Sequence, residues 1–224
     1  MKILSVRRGF TSDHSSTSYE FLAVDKPLSK EERAQISKLS RRVHPTARRA
    51  GFVYHVEGYG IPGGWEKLMA RYYDVMYSED YDWWTLAIAY NASLEQCENL
   101  RSYEFDGVHE GTGIGIEIHG QRIIIMIYCM IEMGNEVDDY YYDDTEDDEN
   151  GGDNESSTIT TDDELLNVLT QVRQQIIGGD YSALYAVWEK YGDADDEVFP
   201  PKPKSIHADG SIVDTFKSML RYHE

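Results

Sequence analysis

The sequence predicts an α+β fold: a mixed or antiparallel sheet with packed helices, an acidic loop and a C-terminal helical segment. Three observations carry this. Residues 113–120 (GIGIEIHG) alternate apolar and small or polar residues and meet the apolar run 122–131 (RIIIMIYCMI) across His119-Gly120-Gln121. Such a pairing is the pattern of a β-hairpin. Helix patterns opened by Ser-x-x-Glu or Ser-x-x-Gln capping boxes lie between the strand patterns. After residue 131 only helix patterns occur, which separates this chain from a regular βαβ alternation.

Taken in order, residues 2–6 (KILSV) and 18–24 (SYEFLAV) read as short strands. A helix follows Ser29, with Glu32 completing its capping box and Ile36 and Leu39 on its apolar stripe. A basic connector, RRVHPTARR, is expected to end that helix at Pro45. Residues 51–58 read as a strand, and GYGIPGG as a turn. Trp65, Leu68, Met69, Tyr72 and Met76 recur at helical spacing, which predicts a helix over 64–77. Residues 83–90 (WWTLAIAY) form an apolar strand, and Ser93 with Gln96 opens the next helix. Beyond the acidic run, Thr161 with Glu164 is expected to cap a helix stopped by Gly178-Gly179, and Asp180 to cap another. FPPKPKS reads as a stiff proline-rich connector before a last helix over 211–222. The expected organisation is an α+β domain over 1–134, an acidic flexible loop over 135–157, and a helical segment over 158–224 packing on the same domain.

Charge is unevenly distributed. The net charge is −20, yet residues 1–50 hold 11 Lys/Arg against 5 Asp/Glu, so the rest of the chain carries −26. This balance disfavours direct binding of nucleic acid. Residues 135–157 hold eleven acidic residues and no basic one, and read as a solvated, disordered loop. The unusual feature there is Tyr140, Tyr141 and Tyr142, followed by Asp143 and Asp144. Aromatics among carboxylates suit a basic partner surface, and they can also imitate the charge of a nucleic acid. The opposite charge, Arg41, Arg42, Arg48 and Arg49 with His44, suits protein contacts, including the chain's own carboxylates.

Candidate chemistry concentrates in RGFTSDHSSTSYEF, residues 8–21. Asp13, His14, Ser15 and Ser16 are residue types of nucleophilic catalysis, and they support an alternative reading as a hydrolase or nucleic-acid-processing enzyme. Adjacent side chains diverge, however, and triads gather their members from distant segments. The favoured reading is a polar loop that bonds its own backbone. GYGIPGG fits neither a Walker loop nor GxGxxG. The seven histidines form no HxxxH or HExxH pattern, so neither a metal nor a cofactor is expected. Cys97 and Cys129 read as thiols of a reducing compartment. The short apolar run in MKILSVRRGF does not read as a secretory signal, and the longest apolar run, 123–127, is too short to cross a bilayer. The chain is expected to be soluble and cytoplasmic, with no membrane partner.

Several blocks in one order resemble a family of uncharacterised bacterial accessory proteins. They are YEFLAVDKPL (19–28), LMARYYDV (68–75) and GDYSALYAVW (179–188), the last followed by an acidic patch and FPPKP. The chain is also similar to small accessory proteins found with type III-E CRISPR protease systems. These resemblances imply an accessory role in bacterial defence or transcription regulation and bring no catalytic residues. Together with the charge pattern they lead to the expectation of a non-enzymatic protein that binds another protein.

Overall fold

A computed structural model describes residues 17–54, 60–80, 83–131, 163–193, 199–203 and 211–221. The expected strand 2–6, the loop 8–16 and the acidic run 135–157 lie outside them. The described elements are β1 (Thr17–Leu22), α1 (Lys30–Ile36), β2 (Arg49–Tyr54), α2 (Glu66–Arg71), β3 (Val75–Asp80), β4 (Trp83–Asn91), α3 (Leu94–Arg101), β5 (Phe105–Asp106), β6 (Gly113–His119), β7 (Arg122–Met130), α4 (Glu164–Ile177), α5 (Ser182–Tyr191) and α6 (Ile212–Met219). The fold is α+β. The seven strands among the described residues form one sheet in the order β2-β1-β3-β4-β7-β6-β5, and every described pairing is antiparallel.

Strand alternation splits the core in two. Tyr77, Leu86, Ile88, Ile123, Ile125 and Ile127 face one side, where α3, α4, α5 and α6 cover them. Phe21, Met76, Ala87, Ala89, Ile124 and Met126 face the other, under α1 and α2. The central strands are apolar on both faces because both are covered, the usual cause of continuous apolar runs such as Ile123–Ile127. Full burial of each large aliphatic side chain contributes about 1.5–3 kcal/mol.

The β6–β7 hairpin forms as expected. His119 pairs with Arg122, leaving Gly120 and Gln121 as a two-residue turn, with Gly120 at φ 67°. The capping boxes of Ser29 with Glu32 and Ser93 with Gln96 are both complete. A third, Ser211 with Asp214, starts α6.

Four local expectations are corrected. The helix over 64–77 ends at Arg71, and Met76 belongs to β3. There Met76 pairs with Phe21 and Ala87, so sheet pairing on both sides overrides the helical spacing. Helix α1 ends at Ile36, well before Pro45. Helix α4 is capped by Asp163 rather than Thr161: the Asp163 carboxylate accepts the Leu166 N–H at 3.0 Å. Asp180 does accept the Ser182 N–H, but the residue at the helical boundary of α5 is Tyr181.

Candidate functional site

Two polar clusters and one aromatic row are the places where the described residues concentrate chemistry. The first cluster brings together β1, β2, β3 and the start of α4. Tyr77 and Asp163, each 3 % exposed, share a hydrogen bond in which the hydroxyl donates to Asp163 Oδ2 at 2.8 Å. The Arg49 guanidinium lies 3.3 Å from Glu20 Oε2 and 3.6 Å from Asp163 Oδ2. Burial, reinforced by the Asp163 and Glu20 carboxylates, holds the Tyr77 hydroxyl far above its ordinary range. Such a hydroxyl is a donor and not a nucleophile. The cluster pins the N-terminus of α4 to the sheet.

The second cluster centres on Asp74, just before β3. Its Oδ2 accepts the N–H groups of Val24 (2.7 Å) and Asp25 (2.9 Å), and its Oδ1 accepts from Arg122 at 2.8 Å. Arg122 also donates to the carbonyls of Met69 and Tyr73. Arg173 of α4 donates to Ala89 O and to Asp25, and lies 3.7 Å from Asp74 Oδ1. Two arginines and two carboxylates, anchored to backbone groups, form a satisfied network of the kind that fixes packing.

The aromatic row lies on the α1/α2 side of the sheet. Register places Tyr19, Ser78, Thr85 and Tyr128 side by side on β1, β3, β4 and β7. Three strand spacings separate the two tyrosines, about 14 Å. The floor between them is made by the small side chains of Ser78 and Thr85. Tyr54 packs edge-on against Tyr19, with ring centroids 6.2 Å apart. The Tyr128 ring lies over Gly115, where an added Cβ would stand 3.5 Å from its Cε2. In the adjoining row Thr17, Asp80, Trp83 and Met130 are neighbours. Tyr19, Tyr54, Thr85, Tyr128 and Trp83 are all half-buried, whereas the Met76–Ala87–Met126 row beyond them is covered.

Carboxylates rim this row. The hydroxyl of Tyr19 is raised above its ordinary range by burial, then by Asp80, Tyr54 and Glu66. That of Tyr128 is raised by burial, then by Glu66 and Glu117. Glu66, at the start of α2, thus acts on both tyrosines. The Tyr54 hydroxyl oxygen is enclosed without a hydrogen-bond partner.

The sequence-predicted residues are distributed differently. Arg41 and Arg42 are exposed. Arg48 donates to the carbonyls of Ala23 and Val24 at 2.9 Å, and Arg49 is engaged with Glu20 and Asp163. The basic cluster therefore divides into two exposed arginines and two that hold the fold. Asp13, His14, Ser15 and Ser16, like Tyr140, Tyr141, Tyr142, Asp143 and Asp144, lie outside the described residues. Sequence reading missed Tyr19, Thr85 and Tyr128 as neighbours, because strand alternation gives each a face but not the strand beside it.

Among the described residues no helix is long and apolar enough to cross a membrane. No family model, curated protein or solved structure matches this chain. The fold and the row define an α+β protein with an acidic, aromatic patch on one face of its antiparallel sheet.

Proposed function

We propose that this chain is a non-enzymatic accessory protein that binds a partner protein, and that the aromatic row receives a basic element of that partner. One observation carries the reading: Tyr19, Thr85 and Tyr128 are half-buried in one cross-strand row, with buried Ser78 between Tyr19 and Thr85 and with Glu66, Asp80 and Glu117 at its rim. Tyrosine offers broad apolar area with a polar tip at low entropic cost, which is why it is frequent in binding surfaces. The two tyrosine strands stand about 14 Å apart and the rings take part of that span, so single side chains of a partner element, rather than a whole helix about 10–12 Å across, enter between them. The carboxylates select Arg or Lys on that element, and the tyrosine faces add cation–π attraction. The −20 net charge speeds encounter with a basic protein and opposes nucleic acid. A cytoplasmic setting belongs to the proposal, supported by two unpaired, buried cysteines.

The test is affinity capture from the native cell with three baits: the full chain, a Tyr19→Ser/Tyr128→Ser variant, and a chain lacking residues 136–156. The expected result is a stoichiometric basic protein on the full chain, lost from the serine variant and released by salt. Equal capture by the full chain and the serine variant refutes the assignment to this row. Loss only from the deletion moves the binding surface to the acidic run.

A further inference from the structure

A second aromatic surface lies on the helical side of the sheet, away from the row just described, and it is already occupied. Tyr181, Tyr185 and Trp188 belong to the start and body of α5, and Tyr103 follows α3. Tyr103 and Tyr181 pack at 5.4 Å, and Tyr185 and Trp188 at 5.5 Å. The segment Phe199-Pro200-Pro201-Lys202-Pro203 returns over this strip. The Phe199 ring meets Trp188 edge-on at 5.3 Å, and the Tyr103 hydroxyl donates to Pro201 O at 2.7 Å. Pro200 is buried, Pro201 and Lys202 are exposed, and Pro203 is half-buried. Pro200 and Pro203, the two less exposed positions, are three residues apart, a spacing that a polyproline II helix places on one edge. Gly192 brings the backbone hard against the indole, since a Cβ there would stand 2.6 Å from Trp188 Cδ1.

Aromatic side chains spaced along a groove, with a hydroxyl donor aimed at a carbonyl between prolines, are the means by which proline-rich segments are recognised. We propose that the strip formed by Tyr103, Tyr181, Tyr185 and Trp188 is a polyproline-binding site, held in cis by residues 199–203. Its external ligand is a proline-rich peptide segment of another protein, with an aromatic residue before the prolines and a basic residue among them. Phe199, the bulkiest group of the internal segment, leaves 52 % of its surface in solvent. The internal ligand is held at Pro200 and at the Pro201 carbonyl more than at Phe199, and tethering adds an effective concentration in the millimolar range. An external segment competes once the internal one is displaced, and the apparent affinity is reduced by the fraction of molecules that are open.

The experiment titrates a fluorescent peptide with the sequence of residues 198–205 into the full chain and into a Phe199→Ser/Pro200→Ser/Pro203→Ser variant. The expected result is saturable binding to the variant about tenfold or more tighter than to the full chain. A Trp188→Ala change in that variant removes the gain, and a peptide with its prolines replaced by alanine does not bind. Circular dichroism verifies that each variant is folded. The single Phe199→Ala chain, which keeps both inward prolines, provides the same comparison if the triple variant unfolds, with an expected gain of about threefold. Equal affinity for the full chain and both loosened variants overturns the proposal, as does binding indifferent to Trp188 or to the prolines. Absence of saturation at about 1 mM peptide overturns it too, and makes residues 199–203 a structural cover only.

Discussion

Replacing Asp74 by Asn keeps the shape of the side chain and removes one acceptor and the charge. In the native protein both carboxylate oxygens are used: Oδ2 by the Val24 and Asp25 N–H groups, Oδ1 by the Arg122 guanidinium, with Arg173 at 3.7 Å. All of these neighbours are donors. An Asn amide has a single acceptor oxygen, so whichever way it is placed its NH2 faces either two backbone N–H groups or an arginine. Asp74 is 4 % exposed, and water offers little compensation there. Asp25 still neutralises Arg173, and Arg122 keeps its bonds to Met69 and Tyr73, so the fold is weakened rather than abolished. Breaking a buried ion pair from one side costs about 3–5 kcal/mol. At about 2–4 °C per kcal/mol for a chain of this size, the melting temperature falls by about 6–20 °C. Thermal and urea unfolding of Asp74→Asn against the native chain measure the difference. A loss below about 1 kcal/mol, the scale of an exposed pair, refutes the view that this network holds the fold together.

Three further outcomes are expected. Tyr77→Phe deletes a buried bond to a charged acceptor and destabilises by about 1.5–3 kcal/mol, whereas Tyr90→Phe removes a hydroxyl that has no partner and is neutral or stabilising; chemical denaturation of both variants separates them. Stability falls in alkali: burial raises Tyr103 from 10.0 to about 12, with Tyr181 and Asp180 adding to the effect, and raises Tyr73 and Tyr90 as well. Because the folded state favours the protonated phenols, their contribution is complete below pH 10 and is lost as pH rises through the folded values, so tyrosinate absorbance and loss of circular dichroism rise together. Gly192→Ala drives its Cβ against both the Trp188 indole and the Trp188 carbonyl, so the end of α5 shifts with the ring, which shows as a changed tryptophan emission and a lowered melting temperature.

The elements legible in the sequence were those written in local chemistry. Gly120 between two apolar runs marked the β6–β7 hairpin, and Ser29 and Ser93 announced their helices three residues ahead of Glu32 and Gln96. Strand β3 was not legible, because Tyr72 and Met76 continue the helical stripe of Leu68 and Met69. Only the pairing of Met76 with Phe21 and Ala87 decides otherwise. The cap of α4 was misread for a related reason. Thr161 and Asp163 are both competent caps, and the Tyr77 hydroxyl and Arg49 fix the choice from elsewhere in the chain. The aromatic row depends on strand order. Tyr19 and Tyr128 come together because β3 and β4 lie between β1 and β7, a fact of topology that no local window contains. Arg48 and Arg49 were legible as basic, but their partners, the Ala23 and Val24 carbonyls, Glu20 and Asp163, were not.

The most direct test of the binding account is photo-crosslinking from the floor of the aromatic row. A benzophenone side chain placed at Thr85 is irradiated in the native cell, beside a control with the same group at Arg41. The account predicts one dominant crosslinked protein from Thr85, basic at its contact site, and none from Arg41. The same adduct from Arg41 and none from Thr85 contradicts it, and places the interaction on the basic connector instead.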